Sequence, residues 1–386
     1  MIIPPARRLQ QVEEYYFSRK LQQIRQMNRV GKDVINLGIG SPDLAPSLET
    51  TTALSEVANQ PDIHGYQPYR GIAALRDAIA DWSGRTFNVT LDAESEVLPL
   101  MGSKEGITHI SLAFLNPGDE VLVPSLGYPA YTAVTRMAEA QARTYPLLDG
   151  TWQPDFEAME SMDTDRVKLL WCNYPHMPTG VSAEPETFEQ LVDFARRRNI
   201  LICHDNPYAL VLNQHKPVSI LSVPGAREVA IELHSLSKSH NMAGWRLGWI
   251  AGRADYLNEI IKIKSNVDSG MFRAIQQAAV AALGNSEEWH QQCNQEYQQR
   301  QKITFELAEV LQCKYAPQQQ GMFVWAQIPN EEQSAEKLSE RILQQSKVFI
   351  TPGHIFGNQG NRYLRFSLCV SQERLREAVY RVTSSI

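Results

Sequence analysis

The sequence predicts an α/β fold, a mainly parallel sheet flanked by helices, followed by a smaller α+β domain. Six short apolar runs, EVLPL, EVLVPS, KLLWCN, NILICHD, EVAIELHS and RLGWIAG, alternate with helical patterns over residues 96–252. Strands joined through helices pair in parallel, and runs that are apolar throughout suit a sheet covered on both faces. Beyond about Asn285 the character changes. A polar, Gln-rich helical stretch, EEWHQQCNQEYQQRQKITFELAEVLQ, leads to three strand-like runs, GMFVWAQIP, KVFITPG and RYLRFSLCV, separated by a helix. A chain of 386 residues can bury two sizeable cores.

Near the start, Leu9, Val12, Tyr16, Leu21, Ile24 and Met27 recur at helical intervals and predict one amphipathic helix ending near Gly31. The glycine- and proline-rich INLGIGSPDLAPS reads as a connection, and ALRDAIADW as a helix. The expected division is an arm and helix over residues 1–45 that joins the small domain, a large domain over 46–284 and a small domain over 285–386.

Composition narrows the function. The net charge of -6 and the short, mixed basic clusters argue against a nucleic-acid footprint and favour small-molecule chemistry. No stretch approaches the roughly 18 to 20 apolar residues of a membrane helix, and the N-terminus lacks a signal-peptide core, so a cytoplasmic protein is expected. The five cysteines are scattered, with no C-x-x-C, so neither a disulfide framework nor a metal site is expected.

In an open parallel sheet, ligands bind beyond the carboxyl ends of the strands, and four stretches place polar groups there. In PLMGSKEGITH, Gly102, Ser103 and Lys104 lie between a strand and a helix, where free N–H groups and a cation make an anion site; a capped loop with a surface lysine is the plainer reading. In ILICHDNPY, Asp205 and Tyr208 follow a buried strand, while Cys203, His204 and Asp205 alternate faces and cannot converge on one atom. A buried carboxylate needs a partner, which a cationic ring nitrogen or a structural arginine would supply. HSLSKSHNMAGWRLGWIAG sets Lys238 among serines with Arg246 close by, and RYLRFSLCV buries Arg365 in a strand, where either a structural salt bridge or a substrate carboxylate would pair with it. GIG in LGIGSPD lacks the third glycine of a dinucleotide fingerprint.

Together these residues resemble the class I/II aminotransferases of fold type I, the aspartate aminotransferase-like enzymes that use pyridoxal 5'-phosphate (PLP), and the resemblance covers nearly the whole chain. It implies a large domain with a mainly parallel seven-stranded sheet and a homodimer. SLSKSHNMAGWRLGW is similar to the family's S-x-S-K-x-x-x-x-x-G-x-R-x-G signature, so Lys238 would be the Schiff-base lysine, with Ser235, Ser237 and Arg246 on the phosphate. By the same resemblance Gly102, Ser103 and Lys104 cradle the phosphate, Asp205 pairs with the pyridinium N–H, and Tyr208 meets the ring hydroxyl. Tyr128 of PSLGYPAY stacks on the ring, Tyr66 of YQPYRGIAALRDAIA reaches the phosphate of the neighbouring subunit, and Gly40 and Arg365 meet the substrate carboxylate. One motif departs: the family has N-P-T-G where this chain has NYPHMPTG, with Met177 in the asparagine's place and Asn173 or His176 as candidates to replace it. A thioether is a weak acceptor. SNVDSGMF resembles the branch of diaminopimelate and alanine-type aminotransferases.

The resemblance implies ping-pong transfer of an amino group from an amino acid to a 2-oxo acid. Lys238 would be the general base, Asp205 would keep the ring nitrogen protonated, and Tyr208 would assist. A PLP-dependent C–S or other β/γ-lyase on the same fold is the alternative, because fold does not fix reaction outcome. An effector-sensing domain of a regulator is more remote, since fewer than about fifty residues precede the large domain, too few for a DNA-binding module and linker.

Overall fold

The computed structural model describes residues 3–12, 14–213 and 215–385. Its large sheet holds β2 (Val97–Leu100), β3 (Glu120–Pro124), β4 (Gln141–Tyr145), β5 (Val167–Asn173), β6 (Leu201–Asp205), β7 (Ala230–Ser235) and β8 (Gly248–Gly252), in the order β2-β8-β7-β6-β5-β3-β4. The neighbours pair in parallel except β8, which runs against both β7 and β2. Between β7 and β8 lie only the short helix Leu236–Ser239 and the 3-10 turn Ala243–Trp245, a connection that turns the chain back instead of crossing over. All six apolar runs form strands of this sheet. The seventh, β4, lies at the edge with most of its side chains exposed or half-exposed, and its sequence QARTY carries no apolar signal.

Side chains alternate between two cores, as a two-residue repeat requires. Leu98, Val121, Leu169, Cys203 and Ile231 pack on one face, and Val97, Leu122, Leu170, Ile202 and Ala230 on the other. A second sheet, β1-β11-β12-β10-β9, comprises β1 (Ile35–Leu37), β9 (Lys314–Tyr315), β10 (Phe323–Gln327), β11 (Val348–Pro352) and β12 (Tyr363–Ser367). The three C-terminal runs supply β10, β11 and β12, and the Gln-rich stretch is the helix Glu287–Val310, capped by Ser286. β1 comes from the far end of the chain and pairs with β11 in parallel.

The N-terminal helix differs from expectation. It starts at Tyr16, not near Leu9, and runs to Arg29; Arg7–Gln11 is a separate 3-10 turn, on which Leu9 is exposed, while Glu13 lies outside the described residues. Tyr15 is extended, which breaks the helical repeat that the apolar spacing suggested. The true helix buries Phe17, Ile24 and Met27, and the last two meet Val34, Leu343 and Phe349 of the small domain. No described helix is long and apolar enough to cross a membrane.

Behind the sheet edge sits a buried ionic cluster. Lys264 and Asp268 are both almost fully enclosed, and the ammonium lies 2.8 Å from each carboxylate oxygen. Asp268 also accepts from the backbone of Gly270 at 2.8 Å. His109 Nε2 stands 3.1 Å from Glu105, whose second oxygen accepts from Met101 N–H at 2.6 Å and so holds the loop leading into helix Ser103–Phe114. Removing one partner of a buried pair leaves the other charge uncompensated. Asp268→Ala is expected to lower stability by about 3–5 kcal/mol, read as a reduced denaturant midpoint with an unchanged slope.

Candidate active site

The parallel strands deliver their carboxyl ends to one edge, and the reversed β8 brings its amino end to the same place. Leu100 at the end of β2 and Ser235 at the end of β7 both pair with Gly248 at the start of β8. Between this edge and the small sheet lies a cavity of about 460 Å³ lined by Gly40, Ser103, Lys104, Tyr128, Asn173, Asp205, Tyr208, Ser235, Ser237, Lys238, Arg246 and Arg365, together with Met177 and residues of the N-terminal segment. Of the sequence-predicted residues, Gly102, Tyr66 and the alternative candidate His176 do not line it. Gly102 adjoins it as the N-cap of helix Ser103–Phe114, and Tyr66 is 93% exposed on the surface.

One end is built for an anion. Helix Ser103–Phe114 begins without a side-chain cap, so its first N–H groups remain donors. Gly102 has φ +87°, and a Cβ there would stand 2.3 Å from Arg246 Nη2, so only glycine lets the guanidinium close on this turn. Arg246 also lies 3.5 Å from Ser237 Oγ and donates to the Ala243 carbonyl at 2.9 Å. Ser235 Oγ accepts from Ser237 N–H at 3.1 Å and caps the short helix that carries Lys238. Burial, and then the neighbouring Arg246 guanidinium, hold the Lys104 ammonium below its usual pKa.

In the middle, Lys238 Nζ hydrogen-bonds the Gly40 carbonyl. Burial lowers its pKa from the ordinary lysine value, and the Arg365 and Arg246 guanidinium groups push the same way. Opposite it stands Asp205, 6% exposed. Its Oδ2 accepts from Tyr131 at 2.9 Å, while Oδ1 is buried with no partner in the protein. Tyr131 is stacked on Trp171, with ring centroids 4.8 Å apart, so the donor is rigid. The sequence reading missed Tyr131. Its signal was its place in the first turn of the helix Pro129–Met137, which Tyr128 precedes as the extended N-cap. Tyr208 is buried against Phe323 and lines the same cavity.

Asn173 lines the cavity, but its amide is already engaged. Nδ2 donates to the Asp205 carbonyl at 2.6 Å, and Oδ1 accepts from Met177 N–H at 2.9 Å. His176 bonds Thr179 and the Leu126 carbonyl and does not line the cavity. Neither side chain therefore supplies the donor missing at Met177. The thioether turns instead to Arg365: Nη1 lies 3.2 Å from Met177 Sδ, Nη2 donates to the Gly38 carbonyl at 2.7 Å, and Nε is unpaired. No carboxylate among the described residues pairs with Arg365, which disposes of the structural salt bridge. Its Cζ lies 3.8 Å from the Phe323 ring centroid and 4.5 Å from that of Phe356, and burial draws its pKa from 12.5 to about 10.

The residues fit PLP. The orphaned Asp205 Oδ1 suits a protonated ring nitrogen, the cluster of Lys104, Arg246 and helix N–H groups suits a phosphate, and Lys238 between them suits an aldehyde. The Asp205 carboxyl is raised from 3.8 to about 6 by burial, against the opposing Tyr131 hydrogen bond. In the cofactor-free protein its contribution to stability is thus fully present below about pH 4 and is lost as pH rises through about 6, an effect of about 3 kcal/mol. Urea unfolding of the cofactor-free protein at about pH 4 and about pH 7 tests this. Asp205→Asn is expected to abolish the loss, and Tyr131→Phe to shift it to higher pH.

Residues 32–382 match the family Aminotransferase class I and II. The chain is 40% identical to an LL-diaminopimelate aminotransferase of Moorella thermoacetica, over 98% of this chain and 97% of that one. A second LL-diaminopimelate aminotransferase, from Maridesulfovibrio salexigens, is 40% identical over 98% of both chains. Among solved structures, substrate-bound BacF from Bacillus subtilis superposes with a TM-score of 0.93 at 35% identity, covering 100% of this chain and 98% of that one. The chain belongs to the class I/II aminotransferases, fold type I enzymes that use pyridoxal 5'-phosphate to transfer an amino group between amino acids and 2-oxo acids.

Proposed function

We propose that this aminotransferase works through Lys238, Asp205 and Arg365, with Tyr208 assisting. The observation that carries the reading is the convergence on one cavity of a lysine of lowered pKa, a buried carboxylate oxygen without a partner and a buried guanidinium whose Nε is unpaired. Lys238 would hold the cofactor covalently, Ser103, Lys104, Ser235, Ser237 and Arg246 its phosphate, and Tyr128 the face of its ring. Gly102 leaves room for the Arg246 guanidinium beside that phosphate. When bound, the cofactor supplies an aldehyde carbon for the amino group and a protonated ring that accepts electron density.

The chain's own groups account for the rest. Arg365 has no carboxylate partner and a free Nε, so the substrate α-carboxylate completes it and fixes the substrate's orientation. Burial favours the neutral amine of Lys238, which then removes the proton from the substrate α-carbon and later returns one. The Gly40 carbonyl anchors that amine beside the Arg365 strand. Asp205 stays ionised against the ring nitrogen, with Tyr131 fixing its plane. Tyr208 would hold the ring hydroxyl, alone because Met177 stands in place of an amide donor; Asn173 positions the loop through hydrogen bonds to backbone groups.

The exposure of Tyr66 supports a homodimer. It is 93% exposed and does not line its own cavity, and its loop packs against the turn at Gly270, whose neighbours Val267 and Phe272 are also exposed. A second copy covering this surface would bury Tyr66 against its own phosphate site. Five free cysteines, four of them buried, suit the reducing cytoplasm. The donor is an amino acid whose α-carboxylate meets Arg365, and LL-diaminopimelate, which names the curated relatives, belongs among the compounds to assay.

Two measurements test these assignments. Borohydride is expected to fix the cofactor to the wild-type chain at Lys238 and not to Lys238→Ala; fixation at another lysine, or turnover that releases ammonia without a second oxo acid, overturns the mechanism. Sedimentation is expected to give a dimer, and a fully active monomer refutes the shared site.

A further inference from the structure

We infer that Glu232 is a positioning residue for the cofactor: its buried carboxylate ties the loop that presents Asp205 and Tyr208 to the strand that leads into Lys238. This rests on the roles proposed for those three residues and adds to them a group that does not line the cavity. Glu232 lies in β7 beside His204 of β6, and because adjacent strand residues face opposite sides, both stand on the sheet face away from Asp205. Glu232, His204, Asn206, Ser219 and His234 are each at most 3% exposed, so a second copy of the chain has no access to the cluster.

The carboxylate collects polar groups from separate segments. Its Oε1 accepts from Asn206 Nδ2 at 2.9 Å and stands 3.0 Å from His204 Nδ1. Its Oε2 accepts from Ser219 Oγ and stands 3.4 Å from His234 Nε2. The clasp is stiff, because His204 meets Phe188 edge-on with ring centroids 4.8 Å apart, and His234 stacks on Trp249 at 5.2 Å. It also reaches three of the loops that enter the cavity. Asn206 lies between Asp205 and Tyr208, and its own backbone N–H donates to the Leu233 carbonyl at 2.8 Å, so β7 holds it by side chain and main chain together. His204 Nε2 donates to the Tyr174 carbonyl at 3.0 Å, next to Asn173, and His234 immediately precedes Ser235.

An ionised carboxylate in a dry interior adds little net stability over a well-packed apolar set, so stability alone does not account for Glu232. What it supplies is direction: an oxygen facing fixed donors sets their positions, which apolar contact does not. Against the burial that opposes it, His234 and His204 hold the Glu232 carboxyl well below the usual carboxylate range, so the anion persists at neutral pH. The same two histidines act on Asp205, whose carboxyl is raised by burial and pulled back by Tyr131 and then by His204 and His234. Loss of Glu232 thus loosens the turn at Asn206 and disturbs the charge behind Asp205 together.

The test compares variants of the full chain loaded with pyridoxal 5'-phosphate. Glu232→Gln keeps the size of the side chain and removes its charge and one acceptor oxygen. It is expected to raise the cofactor dissociation constant about ten-fold and to alter the visible circular dichroism of the bound cofactor, which reports its setting in the site. The first half-reaction at saturating donor should slow by a similar factor, with the half-saturating donor concentration nearly unchanged because Arg365 is untouched. Where Glu232→Gln does not fold, Asn206→Ala and Ser219→Ala decide, since each removes one donor and leaves the carboxylate. Asn206→Ala, on the site loop, is expected to change the dichroism and the dissociation constant, whereas Ser219→Ala, outside the cavity, is expected to lower the urea midpoint alone. A folded Glu232→Gln enzyme with the wild-type dissociation constant, half-reaction rate and dichroism overturns the inference while the aminotransferase reading stands. Equal effects of Asn206→Ala and Ser219→Ala on the dichroism, nil included, do the same. Failure of the wild-type chain to bind the cofactor through Lys238 overturns the aminotransferase mechanism, and this inference with it.

Discussion

A carboxylate oxygen buried without a donor is the constraint around which the candidate active site is arranged. Asp205 stands at the end of the central strand β6, where desolvation penalises its charge, and the protein gives it one rigid hydrogen bond from Tyr131 and leaves the other oxygen open. On the opposite face the neighbouring His204 lies 3.0 Å from Glu232, which also receives a hydrogen bond from Asn206 at 2.9 Å. The strand is thus braced by polar contacts on one side and held short of them on the other. Such a site is costly to the empty protein and favourable to a cation that fills it, which is how a scaffold stores affinity for a cofactor at a defined atom.

Much of this was legible in the sequence because the chemistry is local. Lys238, Ser235, Ser237 and Arg246 sit on one short connection, and Asp205 and Tyr208 on one loop, so spacing alone places them at strand ends. The six apolar runs were legible as strands because the sheet buries them on both faces. The polar edge strand β4 was not, since pairing with β3 rather than burial makes it a strand. The start of the N-terminal helix was misjudged because apolar spacing continued through a segment that leaves the helical conformation at Tyr15. Tyr131 escaped notice because its partner is 74 residues away, a separation at which only the sheet order decides contact.

Met177 is the most informative departure. Its thioether places a soft, weakly accepting atom against the Arg365 guanidinium where an amide would offer a strong acceptor. The arginine keeps its charge at neutral pH, with its pKa drawn to about 10, but has fewer polar neighbours to satisfy it. Aromatic rings on two sides hold the group in place without neutralising it. An incoming carboxylate therefore meets a guanidinium already stripped of most of its water, and the attraction is stronger for it.

The reversed strand β8 also acts as a gauge. Because the chain turns back at once after β7, the amine of Lys238 and the guanidinium of Arg246 are fastened to the two ends of one short, capped connection, and Gly248 packs against the Ser103 backbone. On the roles proposed for Lys238 and Arg246, the backbone sets the separation of the points from which the two side chains reach the aldehyde and the phosphate. Phosphorylated aldehydes whose carbonyl and phosphate stand at another separation would then fit less well by length alone, before any feature of their rings is read.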